Sequence, residues 1–109
     1  MKYIKINLKP LSVNNAWQGK RFKTPEYNKF ERDCLLMMPN MHIPEEKLKI
    51  DIEYGFSNTL SDIDNPTKLI LDILQKRYGF NDKMIYELNL KKEIVKKGKE
   101  YFSFCIEKI

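Results

Sequence analysis

Leu48, Ile50, Ile52, Tyr54 and Phe56 alternate with Lys49, Asp51 and Glu53, and no other pattern in the chain leaves the fold so little freedom. Side chains two apart in a strand share a face, so this run puts five large apolar groups on one side. That face has to be covered. Leu69, Ile70, Ile73 and Leu74 follow at helical spacing, and alternation returns over residues 84–95 through Tyr86, Leu88 and Leu90. Upstream, residues 2–8 alternate through Ile4, Ile6 and Leu8. Thr24-Pro25 then opens a helix carrying Tyr27, Phe30, Cys34 and Met37 or Met38, which ends near Pro39. Lys96-Lys97-Gly98-Lys99 reads as a hairpin turn before a last strand over 101–106. The predicted order is β-α-β-α-β-β: an α+β domain spanning residues 1–109, with two helices on a mixed sheet of about four strands.

Between the central strand and the second helix lies Asp62-Ile63-Asp64-Asn65-Pro66. If the run is extended, the two carboxylates point to the same side. Asn65-Pro66 then reads as an N-cap and first helical residue, and Lys68 and Asp72 fall on one helical face. Gly79 suits a left-handed helix end, and Asp82 follows in the loop entering the next strand. Three convergent carboxylates would repel one another unless a hard cation neutralised them. Mg²⁺, with Mn²⁺ as a substitute, is the expected guest, and Lys68 could stabilise charge on a scissile phosphate. A plainer reading stays open, in which Asp62 and Asp64 serve only a helix N-terminus and Lys68 and Asp72 form a surface pair. A calcium EF-hand is a poor fit, because Ile73 stands where its last ligand belongs.

Charge supports a polyanion as partner. The net charge is +5 over 109 residues. All of the excess lies in residues 1–40, with Lys20-Arg21-Phe22-Lys23 as its densest point, whereas residues 41–109 balance. Residues 9–23 read as a long loop, in which Trp17 either packs or offers a face to a base. Cys34 and Cys105, without C-x-x-C spacing and with the single histidine His42, argue against zinc and disulfide scaffolds. Both are expected to be buried apolar residues. No apolar run approaches the ~20 residues that span a bilayer, and residues 1–10 lack a signal-peptide core, so a cytoplasmic location is expected. No small-molecule cofactor loop is evident.

Asp62-Ile63-Asp64-Asn65-x-x-Lys68-x-x-x-Asp72, followed by Gly79-Phe80-Asn81-Asp82-x-x-Ile85, resembles the signature of the RusA family of Holliday-junction resolvases. Pro10-Leu11-Ser12-Val13-Asn14-Asn15 resembles that family's N-terminal loop. The resemblance implies a homodimeric endodeoxyribonuclease of DNA recombination and repair that nicks four-way junctions in pairs with Mg²⁺. By position it assigns Asp62, Asp64 and Asp82 to metal binding and Lys68 to the active site. Asp72 takes a supporting role, orienting Lys68, and Asn14 and Asn15 approach DNA or the site. Lys20, Arg21 and Lys23 would grip flanking backbone. Where many members carry paired acids before the third strand, this chain has Asn81-Asp82. Two alternatives are a non-catalytic branched-DNA-binding protein and a metal-dependent nuclease with other branched substrates.

Overall fold

The computed structural model describes residues 3–18 and 22–109. Its main sheet is built from β1 (Ile4–Ile6), β4 (Leu48–Phe56), β5 (Ile85–Ile94) and β6 (Tyr101–Lys108), in the order β1-β6-β4-β5. The pairs β1/β6 and β4/β6 are antiparallel and β4/β5 is parallel, so the sheet is mixed. The α+β architecture expected from the periodicities is the one observed. Between β1 and the first helix, β2 (Trp17–Gln18) and β3 (Phe22–Lys23) form a small hairpin within the region read as a loop.

Helix α1 (Pro25–Met37) begins where the cap-then-proline signal places it. Thr24 Oγ1 accepts the Tyr27 N–H at 3.1 Å, and Pro25 occupies the first turn, where it loses no bond. Helix α2 (Thr67–Tyr78) ends at Gly79, whose φ of 74° is the left-handed conformation open to glycine. Its N–H closes the helix on the Gln75 carbonyl at 2.8 Å. α2 is also the crossover that makes β4 and β5 parallel, because a chain leaving one end of a strand needs a helix to return to the other.

Both helices cover one sheet face. Ile50, Ile52, Tyr54 and Phe56 of β4 and Phe102 and Phe104 of β6 pack there against Phe30, Cys34, Leu69, Ile70, Ile73 and Leu74. Burial pushes the Cys34 thiol up to about 12, so it behaves as a small apolar group, as expected. Glu31 fastens the helices together, accepting Lys76 of α2 and Lys23 of β3, each at 2.8 Å. Burial alone would raise the Glu31 carboxyl, but the hydrogen bonds from those two ammonium groups more than reverse this and hold it below its ordinary value.

Among the described residues no helix covers the opposite face, which is a lattice of polar side chains. Asp51 accepts Tyr3 and Asn89, and the single Tyr101 hydroxyl proton lies within reach of both Glu53, at 3.0 Å, and Glu93, at 3.1 Å. Gly55 makes the Tyr101 arrangement possible: a Cβ there would collide with the Tyr101 ring. Lys5, Lys49 and Lys91 are outnumbered on this face by Asp51, Glu53, Glu87, Glu93 and Glu107. Such a surface repels a phosphate backbone.

Candidate active site

Two segments distant in sequence meet at the end of β4. The loop after β1 turns through a short 3-10 segment at Val13–Asn15, and the chain leaving β4 passes through Ser57-Asn58 to the acids. Together they line a cleft of about 580 Å³, to which Lys9, Ser12, Asn15, Asp62 and Asn65 contribute. Asn65 Nδ2 donates to Ser12 Oγ at 3.1 Å, although the two stand 53 positions apart in the chain. The same Ser12 oxygen accepts the Asn14 N–H at 3.2 Å.

This contact corrects two expectations. Asn65 does not cap α2; Pro66 stands at the cap position, without a side-chain hydrogen bond. Nor is Asp62-Ile63-Asp64 extended. The Asn65 N–H bonds back to the Asp62 carbonyl at 3.4 Å and the Thr67 N–H to the Asp64 carbonyl at 3.2 Å, so the chain is already turning when it reaches the helix. With its backbone in turns, the segment needs no capping side chain, and the Asn65 amide is left for the other loop.

The turn is held from beneath. Thr67 Oγ1 donates to the Ile63 carbonyl at 2.7 Å and engages the Tyr54 hydroxyl, also at 2.7 Å. Since the Thr67 proton goes to Ile63, Tyr54 is the donor in the second bond. Tyr54 is fully buried in β4, and burial pushes its phenol well up. Lys92 of β5, the register partner of Tyr54, donates to the Ser61 carbonyl at 2.7 Å. These three residues position the acids. No sequence signal separates them from ordinary core and surface residues, because each acts through a partner brought close only by folding. Thr67→Val keeps the shape but strands the buried Tyr54 hydroxyl. It is expected to cost about 1–3 kcal/mol, seen as a lower melting temperature, and to impair any activity of the acid loop, whereas Thr67→Ser should spare both.

Asp62 and Asp64 are exposed on this turn, and Lys68 is exposed one turn into α2. No ion pair joins Lys68 to Asp72 among the described residues, so Asp72 does not orient Lys68 in the way the spacing suggested. Its charge instead acts on Tyr27 of α1, whose phenol is pushed up to about 12, mainly by burial and then by Asp72. Trp17 packs edge-on against the same Tyr27, with ring centres 5.5 Å apart, which places it in the fold while leaving it 37% exposed. Lys23 is committed to Glu31 and lies over the Tyr27 ring at 5.0 Å. Lys20 and Arg21 lie outside the described residues.

Asp82 stands elsewhere. It opens a short 3-10 turn (Asp82–Met84) beyond α2, where its N–H donates to Gln75 Oε1 at 3.2 Å. Asp62 and Asp64 precede α2 and Asp82 follows it, so the helix keeps them apart by its length, ~18 Å for 12 residues. The sheet agrees: Ile85 pairs with Leu48 at one end of β4, and the acid turn follows Phe56 at the other. Among the described residues no three His, Cys, Asp or Glu side chains are grouped to hold a metal ion. The donors at the acid turn, all carboxylate oxygen, suit a hard cation such as Mg²⁺, and one chain supplies two of them there.

The family profile for endodeoxyribonuclease RusA matches residues 12–100, most of the chain and both halves of the cleft. The protein belongs to the RusA family. It is therefore an endonuclease of the family that resolves Holliday junctions, and branched DNA is the partner this membership implies. No curated protein matches the chain. The match includes Ser12, Asn65, Thr67 and both arms of the split acid set; Lys9, Pro10 and Leu11 of the cleft lie just before it. No helix among the described residues is long and apolar enough to cross a membrane.

Proposed function

We propose that this RusA protein is a Mg²⁺-dependent homodimer that resolves four-way DNA junctions by paired symmetric nicks, in recombination and repair. The observation that carries the reading is the Asp62–Asp64 turn at the mouth of a cleft, with Lys68 exposed one helical turn away. Mg²⁺ bound there would supply a nucleophilic water and neutralise phosphate charge. Asp62 and Asp64 would hold the ion. Lys68 carries a compact positive charge suited to the non-bridging oxygens of the scissile phosphate as charge builds on them. Thr67, Tyr54 and Lys92 keep the turn in place, so little reorganisation is needed when substrate arrives.

The separation of Asp82 supports a dimer. An acid a helix length away in its own chain cannot serve the Asp62–Asp64 turn, but Asp82 of a second copy can. Two copies related by a two-fold axis also present two equivalent sites to a two-fold junction, as paired nicking requires. Lys20 and Arg21, with Lys9 at the rim of the cleft, are the cations available for flanking backbone.

The test is cleavage of a mobile four-way junction beside a linear duplex of the same sequence, with Mg²⁺, with Mn²⁺ and with chelator. Paired ligatable nicks on the junction alone, and only with metal, are expected. Tight junction binding with no cleavage under any metal would make the protein a branched-DNA-binding module. Equal cutting of flaps and junctions would make it a nuclease of broader branch preference.

A further inference from the structure

Leu60 is the most exposed large apolar side chain among the described residues, at 85%, yet it lines the cleft two positions before Asp62. A lone exposed leucine on a protein surface is ordinary. This one stands on a braced loop. Asn58 Oδ1 accepts the Leu60 N–H at 2.8 Å, and the Asn58 carbonyl accepts the Ser61 N–H at 3.3 Å. Lys92 Nζ reaches the carbonyls on both sides of Leu60, Thr59 at 3.4 Å and Ser61 at 2.7 Å. We propose that Leu60 is an apolar wedge that enters the base stack at the branch point and so sets the preference for branched over linear DNA.

The bracing fixes which group meets DNA. With both neighbouring carbonyls drawn to one ammonium group, the loop is tied down on either side of residue 60 and the leucine side chain is left to solvent. A wedge held in this way loses little conformational freedom on binding. Asn58, Thr59, Ser61 and Asp62 around it are polar, so Leu60 is the one large apolar group that this loop can offer. Leucine is among the side chains that proteins insert between base pairs, partly unstacking them. Chain length keeps the insertion local. Two residues span at most ~7 Å, about two base-pair rises, so a wedge at Leu60 acts beside the phosphate that the Asp62–Asp64 turn addresses.

Magnitudes decide why such a group selects branches. Burying one leucine side chain is worth roughly 10–100-fold in affinity, and opening a step of intact duplex costs as much or more. On linear DNA the two nearly cancel. At a four-way branch the stack is already interrupted where strands exchange, so the burial of Leu60 is gained without that cost. The inference deepens the junction-resolving reading above and rests on it for the substrate.

The experiment uses a four-way junction and a linear duplex of the same sequence, each with 2-aminopurine at the pair beside the branch or at its equivalent, titrated with protein in chelator. Wild-type protein is expected to raise the 2-aminopurine fluorescence at the branch and not in the duplex. Leu60→Asn, close in volume but polar, should abolish the rise and reduce the ratio of junction to duplex affinity about tenfold, with melting temperature and solution mass unchanged. Leu60→Met should retain both the rise and the ratio. Wild-type junction binding without a fluorescence rise, or a Leu60→Asn variant that keeps the wild-type ratio, would overturn the wedge while sparing the resolvase reading. A lower solution mass for Leu60→Asn would also overturn it, by placing Leu60 between copies. A Leu60-dependent rise in a protein that then cuts no junction with Mg²⁺ would support the wedge and overturn the Mg²⁺-dependent resolvase reading.

Discussion

Asp64→Asn is expected to abolish junction cleavage while leaving junction binding equal to or stronger than that of the wild type. Asn keeps the volume and one carbonyl oxygen but removes the charge a hard cation needs. Altering the groups that merely support metal ligands typically costs 10–100-fold, so loss of a ligand is expected to exceed about 100-fold. Binding should survive because a carboxylate facing a phosphate backbone without its cation is repulsive, and its removal relieves that repulsion. Single-turnover cleavage and gel-shift titration at one salt concentration measure the two effects side by side. Cleavage at the wild-type rate would remove Asp64 from the site. Equal loss of binding and cleavage would point to a structural role, which melting temperature would reveal. The exposed Asp64 side chain makes no hydrogen bond or ion pair among the described residues, so its replacement should leave stability within about 0.5 kcal/mol.

Lys68→Met should slow cleavage by roughly 10²–10³-fold, the range found when one preorganised charge-stabilising group is removed. Its ammonium forms no ion pair among the described residues, and no carboxylate there would be stranded by its loss. The expected signature is a fall in the cleavage step at saturating Mg²⁺ with little change in junction affinity. This differs from what an ordinary surface lysine would do, since removing a phosphate contact weakens binding and lowers its salt dependence. A variant that loses affinity but cuts bound junctions at the normal rate would move Lys68 from the chemistry to the backbone grip. Lys68→Arg is a useful companion, because guanidinium keeps the charge but not its compact form.

The two experiments probe a site whose parts differ in how they are held. Asp62 and Asp64 are fixed by a turn clamped through Thr67 to the buried Tyr54, so their placement depends on the core. Lys68 is fixed by the helix itself. Asp82 depends on the far end of α2 and, in the proposed dimer, on the second copy. Loss of the interface should therefore remove one acid of the set while leaving the other two in position. In that case a monomeric variant would bind branched DNA and fail to cut it.

Much of the fold was legible from local pattern. The alternation over residues 48–56 defined β4 to the residue, because a half-buried strand admits apolar groups only at every second position. Thr24-Pro25 placed the start of α1, and Gly79 the end of α2, since each of those conformations is open to few residue types. The motif Asp62-x-Asp64 through Asp82 also identified the family. These features are one-dimensional: the physical cause of each lies within a few residues of its signal.

What tertiary structure alone decided concerns residues far apart in the chain. Asn65 carried a sound capping signal, yet its amide went to Ser12, because folding brought the first loop within 3.1 Å and the backbone turns had already satisfied the helix entry. Lys23 belonged to a basic cluster in sequence but was claimed by Glu31 on the neighbouring helix. Asp82 shared a motif with Asp62 and Asp64, but a motif records order, not distance. The helix that connects the acids in sequence is the rigid rod that separates them in space. The sequence by itself determined that the acids and Lys68 belong to one motif and which elements bear them; the packing of α2 along β4 and β5 decided that Asp82 stands a helix length from Asp62 and Asp64.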